Sequence, residues 1–366
     1  MKALNRRWFL GGMTLAGLAR AADELRQVPT VHDNIRAAAD EAALGMMFKG
    51  STPNELATWQ KQFRAKVAEL LGPHAPPPKW STKKLSAAEF ADFTREEFLL
   101  NAKGAASLPV YVLRPKGARR GRLPVLLCLH GHGEFGHDAV AGIDHTPERA
   151  ANIKKANYDY ARQLAREGFI TVAPCMRPFG RRLDASSRKG RTDPCAVTFV
   201  RLMLLGQTLM GANLRDCKWA LDFAATLPGV DIDRCGCVGL SYGGRMTMLV
   251  AAMDLRVKAA VVSGALNVMQ ERIGLRYSCG AQVIPGLLKH GDTPELGGLI
   301  APRPCIWEIG SDDGLIIPGW DAKMKTRIQR AYTASKKPKA VTFHHFKGDH
   351  RWDGTKAVPM LKRVLG

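Results

Sequence analysis

The chain has 366 residues, a formal net charge of +21 and an apolar fraction of 46%. That length supports a large core, in one big domain or two smaller ones. It contains no repeat of fixed period, no low-complexity tract and no apolar run of transmembrane length, which excludes solenoids, disordered chains and bundles of membrane-spanning helices.

The first residues read "MKALNRRWFLGGMTLAGLARAAD". Arg6 and Arg7 precede a short apolar run with glycines, and Ala19-Arg20-Ala21 has the small-x-small form of a cleavage site. This resembles a twin-arginine export signal over residues 1–21, with Asn5 where serine or threonine is commoner. The implied location is periplasmic or secreted, with no stable membrane insertion after removal of the signal. The basic residues, 54 Lys and Arg against 33 Asp and Glu, are scattered, without aromatic interleaving or a nucleic-acid motif. Nucleic acid is therefore not an expected partner, whereas an acidic polysaccharide suits the charge. The eight cysteines show no metal-binding spacing. Cys235 and Cys237 lie in an apolar run where alternate side chains share a face, so buried packing is the expectation for them.

Residues 22–95 are read as an N-terminal helical extension. Apolar residues recur with helical spacing over 56–71, and "GPHAPPPKW" then breaks the helix. From residue 96 to 366 strands and helices alternate. "EEFLLNA" and "LPVYVLRP" suggest an antiparallel pair. "PVLLCLH", "FITVAPCM", "RCGCVGLS", "VKAAVVSGAL", "PRPCIWEIG" and "AVTFHHF" are strand-like, most of them continuous apolar runs suited to burial on both faces. Helical segments separate them, including one long stretch over 199–227. Such alternation predicts an α/β domain with right-handed crossovers, in which helices cover both faces of a mostly parallel sheet.

"VGLSYGGRMT" places Ser241 in G-x-S-x-G, directly after a buried strand and before a helix. That is the strand–turn–helix context a nucleophile elbow requires, because the tight turn leaves no room for side chains beside the serine. With "LHGHG" upstream and "APRPCIWEIGSDDGLIIP" and "GDHRW" downstream, the chain from about residue 96 resembles an α/β-hydrolase, nearest the dienelactone-hydrolase and acetyl (xylan) esterase branch. The resemblance implies an eight-stranded sheet and the order nucleophile, acid, histidine. The expected triad is Ser241, Asp313 and His350, with Asp312 as the alternative acid. His344 and His345 lie inside the last strand, whereas His350 follows it. The oxyanion donors implied are the backbone N–H groups of Tyr242 and His132, with Gly133 next after His132. The three histidines of "HGHGEFGH" beside Glu134 lack metal-site spacing on a helix, so no metal or organic cofactor is expected.

The reaction implied is attack on an ester carbonyl, an acyl-enzyme and its hydrolysis, on a small-molecule or polysaccharide ester. Selectivity is expected from residues 179–195 and 267–298. Arg181, Arg182, Arg188, Lys189 and Arg191 in the first could hold an acidic substrate or simply form a solvated loop. A prolyl-oligopeptidase-like peptidase is the alternative, but the roughly 75 residues ahead of the core cannot supply a propeller. A non-catalytic binding protein on a hydrolase scaffold is the third reading.

Overall fold

A computed structural model describes residues 28–117, 121–185, 193–275 and 278–366. The proposed export signal lies outside the described residues, as do Arg188, Lys189 and Arg191. Among the described residues, no helix is long and apolar enough to cross a membrane.

Two helices lead in, α1 (Val31–Asp40) and α2 (Pro53–Leu71). Thr52 caps α2, Glu55 closes the capping box and Pro53 occupies the first turn. All three are favourable because the first N–H groups of a helix lack internal partners. Leu56, Trp59, Phe63, Val67 and Leu71 form its buried stripe. Gly72, at φ 71°, ends it in a backbone conformation that glycine adopts without strain.

The sheet has nine strands in the order β1-β2-β3-β5-β4-β6-β7-β8-β9. β1 (Ser81–Glu89), β2 (Phe93–Ala102) and β3 (Ala105–Pro115) form an antiparallel meander, and β3 also runs antiparallel to β5 (Ile170–Pro174). β4 (Leu123–Leu129), β6 (Val230–Leu240), β7 (Val257–Ser263), β8 (Cys305–Gly310) and β9 (Val341–Phe346) run parallel with β5. The sheet thus has one strand more than expected. β1 lies within residues 22–95, so that segment is not wholly a helical extension. β1 is exposed along almost its whole length. Without an apolar face it carries no strand signal, and it forms because it completes the open edge of β2.

The crossovers contribute α3 (His137–Val140), α4 (Pro147–Ala156), α5 (Tyr160–Arg166), α6 (Pro194–Met203), α7 (Leu209–Thr226), α8 (Tyr242–Met253), α9 (Met269–Gly274), α10 (Thr293–Gly298), α11 (Trp320–Ala334) and α12 (Ala357–Leu365). The stretch 199–227 is not one helix. It breaks between α6 and α7 around Gly206, which sits at φ 66°. Two apolar clusters cover the faces of the sheet. One joins α2, α7, α8 and α11 to residues such as Val125, Leu127 and Trp307, and the other joins α5 and α12 to Leu126, Cys128 and Val238. Alternate residues of β4 thereby enter opposite cores, as the period of a strand dictates. Cys235 and Cys237 are wholly buried on one face, as their spacing predicts.

Candidate active site

The carboxyl ends of the parallel strands form one edge of the sheet, where open α/β folds place their ligand sites. Ser241 stands there, between β6 and α8, at φ 63° and ψ −121°. For a residue with a Cβ this conformation is strained, and such strain persists only when the surroundings over-determine it. Here they do. The Ser241 N–H donates to Ser263 O at 2.8 Å, and its carbonyl accepts from Arg245 N at 3.0 Å. A Cβ at Gly243 would fall 1.8 Å from Leu129 O, and one at Gly239 would fall 2.4 Å from the Gly243 backbone. Glycine at both positions is what lets α8 start this close to β4 and β6. The Ser241 side chain makes no capping bond to α8, which leaves its hydroxyl for the cavity.

Asp313 follows β8, and His350 follows β9. His350 Nδ1 lies 2.7 Å from Asp313 Oδ2, while the other carboxylate oxygen accepts from Leu315 N at 2.9 Å. The two loops are fastened together: Ser311 N donates to Phe346 O and Asp312 N to Gly348 O, each at 2.8 Å. Gly310 permits this approach, since a Cβ there would meet Asp349 O at 2.2 Å. Asp313 is buried and Asp312 is exposed, so the histidine meets the first carboxylate and not the alternative. His350 Nε2 is buried with no hydrogen bond among the described residues, so the structure does not join it directly to Ser241. They flank the same backbone: His350 packs on Gly264, where a Cβ would meet the ring at 2.7 Å, next to the Ser263 that holds Ser241. Catalytic hydrogen bonds are often long before substrate arrives.

Of the other histidines, His344 bonds Asp353 at 3.0 Å and His345 contacts Lys325 at 2.5 Å. His130 lies wholly buried at the end of β4. Its Nδ1 is 2.8 Å from Gly131 O, and its Nε2 accepts from Met176 N at 2.8 Å. That pattern fixes a neutral ring, and burial pushes its pKa down to about 4. It is a buttress of the loop that follows. Gly131 brings that loop over Ser241, because a Cβ there would come within 3.1 Å of Ser241 Cβ.

Tyr242 is the first residue of α8, so its N–H has no carbonyl partner within the helix. Its side chain is also structural. The phenol is buried, accepts from Asn213 Nδ2 at 2.7 Å, and its ring meets those of His132 at 5.2 Å and Phe179 at 5.6 Å.

A cavity of about 320 Å³ opens beside Ser241, lined among others by His132, Cys195, Arg245, Asn267 and Cys279. Arg245 is a residue that the sequence does not flag, because it sits on a helix with no motif of its own. It is almost fully buried, and its guanidinium bonds Gln282 Oε1 at 2.9 Å and Asn267 Oδ1. Burial lowers its pKa to about 10, which leaves it charged at neutral pH. The described arginines of residues 179–195, Arg181 and Arg182, bond within the fold, as does the neighbouring Arg177. Arg177 and Arg182 both bond the buried Asp216, at 2.8 and 2.6 Å, and Arg181 bonds Tyr111 Oη at 3.0 Å and pairs with Glu97. Arg181 and Arg182 thus pair with acids of the fold and do not line the Ser241 cavity, although Arg181 stays exposed on its outer side.

A sequence profile of the Abhydrolase family matches residues 31–360. A protein named "Putative hydrolase YtaP" from Bacillus subtilis (strain 168) is 28% identical over 260 residues, spanning 69% of this chain and 81% of the relative. Among solved structures, a "putative acetyl xylan esterase (BF1801)" from Bacteroides fragilis NCTC 9343 superposes with a TM-score of 0.75 at 19% identity, covering 93% of this chain and 96% of that one. A glucuronoyl esterase from Solibacter usitatus gives 0.63 at 15% identity, covering 88% and 97%. With nearly the whole described chain inside the family profile, and a mostly parallel sheet carrying a strained serine at its central turn, the protein belongs to the Abhydrolase family and has the α/β-hydrolase fold.

Proposed function

We propose that the protein is a serine carboxylic ester hydrolase, exported by the twin-arginine route and acting on carbohydrate-linked or small acyl esters. Ser241 attacks the ester carbonyl. His350 takes its proton through Nε2 and returns it to the leaving alcohol, while Asp313 holds the Nδ1–H tautomer and supports the imidazolium that forms. The Tyr242 and His132 N–H groups receive the oxyanion, whose charge the N-terminus of α8 also favours. Water then repeats the cycle on the acyl-enzyme. The observation that carries this reading is the Asp313–His350 pair at 2.7 Å, on loops beside a serine held at φ 63°. The solved structures of similar fold that are named as a putative acetyl xylan esterase and a glucuronoyl esterase support the same bond class.

The test is a panel of simple chromogenic acyl esters, acetylated xylan, feruloyl esters and glucuronoyl esters, with chromogenic peptides beside it. Native protein is expected to cleave at least one ester, and Ser241→Ala to lose at least about 10³-fold in kcat. Peptide cleavage without ester cleavage would overturn the reading in favour of a peptidase.

A further inference from the structure

Three side chains from separate parts of the chain meet at the wall of the Ser241 cavity. His132 comes from the loop after β4, Cys195 from the first turn of α6, and Cys279 from the turn that precedes Gly280. His132 Nε2 is 2.9 Å from Cys279 Sγ, and the ligand atoms of all three residues lie within 4.8 Å of one another. Both thiols are buried and free. Five of the other six cysteines are wholly buried in the core clusters, and Cys175 is equally buried behind the loop that follows β5. Only Cys195 and Cys279 also face the cavity.

We propose that His132, Cys195 and Cys279 form a binding site for a soft or borderline divalent cation of the zinc class, which when filled closes the cavity to ester substrates. One imidazole nitrogen and two thiolates are a donor set suited to such ions and ill suited to magnesium or calcium. Tetrahedral zinc holds its nitrogen and sulfur ligands about 3.6–3.8 Å apart, so His132 Nε2 and Cys279 Sγ would move apart by about 0.7 Å and the other two pairs would close in by about 1 Å at most. Binding forms two Zn–S bonds and one Zn–N bond. The two thiols each release a proton to solvent, and His132 binds through neutral Nε2 with its proton on Nδ1. The fourth position stays open to the cavity because all three ligands line it. A cation there occupies the approach to Ser241 and constrains His132, whose backbone is assigned to the oxyanion.

The experiment uses the reduced protein carrying Ser241→Ala for binding, and the native protein for activity. Zinc titrated by calorimetry is expected to bind at one equivalent with a micromolar or tighter Kd. Cobalt(II) is expected to give thiolate charge-transfer absorption on the otherwise unaltered chain. Cys195→Ser and Cys279→Ser should each weaken zinc by at least about 100-fold. Absence of the cobalt–thiolate band, or zinc binding indifferent to both substitutions, overturns the site without recourse to activity. A Cys195–Cys279 disulfide in the isolated protein that forms equally with zinc present overturns it as well. In the activity arm, which rests on the ester-hydrolase reading, saturating zinc should cut hydrolysis at least tenfold. One equivalent bound with hydrolysis unchanged overturns the closing role while leaving ester hydrolysis intact.

Discussion

At the scale of single residues, two adjacent aspartates separate cleanly. Asp313 is buried, with one oxygen on His350 and the other on Leu315 N, whereas Asp312 is exposed and contributes only its backbone N–H to the loop. Asp313→Asn is therefore expected to lower kcat by about 10³–10⁴-fold, because an amide donor facing Nδ1 selects the wrong tautomer. Asp312→Asn should stay within about twofold of native. Equal losses in initial-rate assays of the two variants would contradict the assignment. The neighbours of the serine show how little a motif says about side chains. G-x-S-x-G identified Ser241, but Tyr242 is held by Asn213 and packs at a tilt against His132 and Phe179, contacts between residues distant in sequence. Arg245 and the meeting of His132 with two cysteines were invisible for the same reason.

At the scale of elements, the elbow depends on how closely α8 approaches β4. The space a Cβ would need at Gly243 is already taken by Leu129 O, a backbone atom that cannot swing aside. Gly243→Ala is expected to cost about 3 kcal/mol or more, read from a denaturant midpoint. Gly274→Ala, where a Cβ meets open space, should change stability by less than about 0.5 kcal/mol. Similar midpoints for the two would refute the close-approach argument. On α2, Phe63 is wholly buried and stacks on Trp59 at 5.3 Å. Phe63→Ala should cost about 3–5 kcal/mol, which calorimetric or chemical unfolding would report. A negligible cost would mean that the leading helices sit on the domain without sharing its core.

At the scale of the whole molecule, pH acts on buried groups behind the site. Burial pushes Glu308, on β8, up to about 7 against the opposing hydrogen bond from Gly354 N. Its folded pKa lies above its unfolded one, so its contribution to stability is complete below about pH 4.5 and is lost as pH rises through about 7. His130, pushed down to about 4, acts in the reverse direction and weakens the fold as pH falls from about 6.5. Glu308→Gln, which keeps an acceptor for Gly354, is expected to raise the thermal midpoint at pH 8, by a free energy on the order of 3 kcal/mol, and to leave it little changed at pH 4.5. A stability difference independent of pH would refute the buried-carboxylate account.

Much of the architecture was legible in order along the chain. Buried parallel strands advertise themselves as unbroken apolar runs, a strand–turn–helix frames the serine, and Asp313 and His350 follow in turn. Residues 81–89 were not legible as a strand, because β1 exposes nearly all its side chains and owes its existence to the edge of β2. The break within 199–227 was marked only by Gly206 and the capping Thr208, with apolar residues continuing on both sides of it. Local chemistry determines which segments are buried strands, where the strained turn falls and which residue types can carry out acyl transfer. Tertiary structure decided which aspartate meets His350, that Arg181 and Arg182 brace the fold, and that a histidine and two thiols share the wall of the cavity. Those outcomes rest on distances between loops far apart in sequence, and such distances exist only once the sheet has brought its carboxyl ends together.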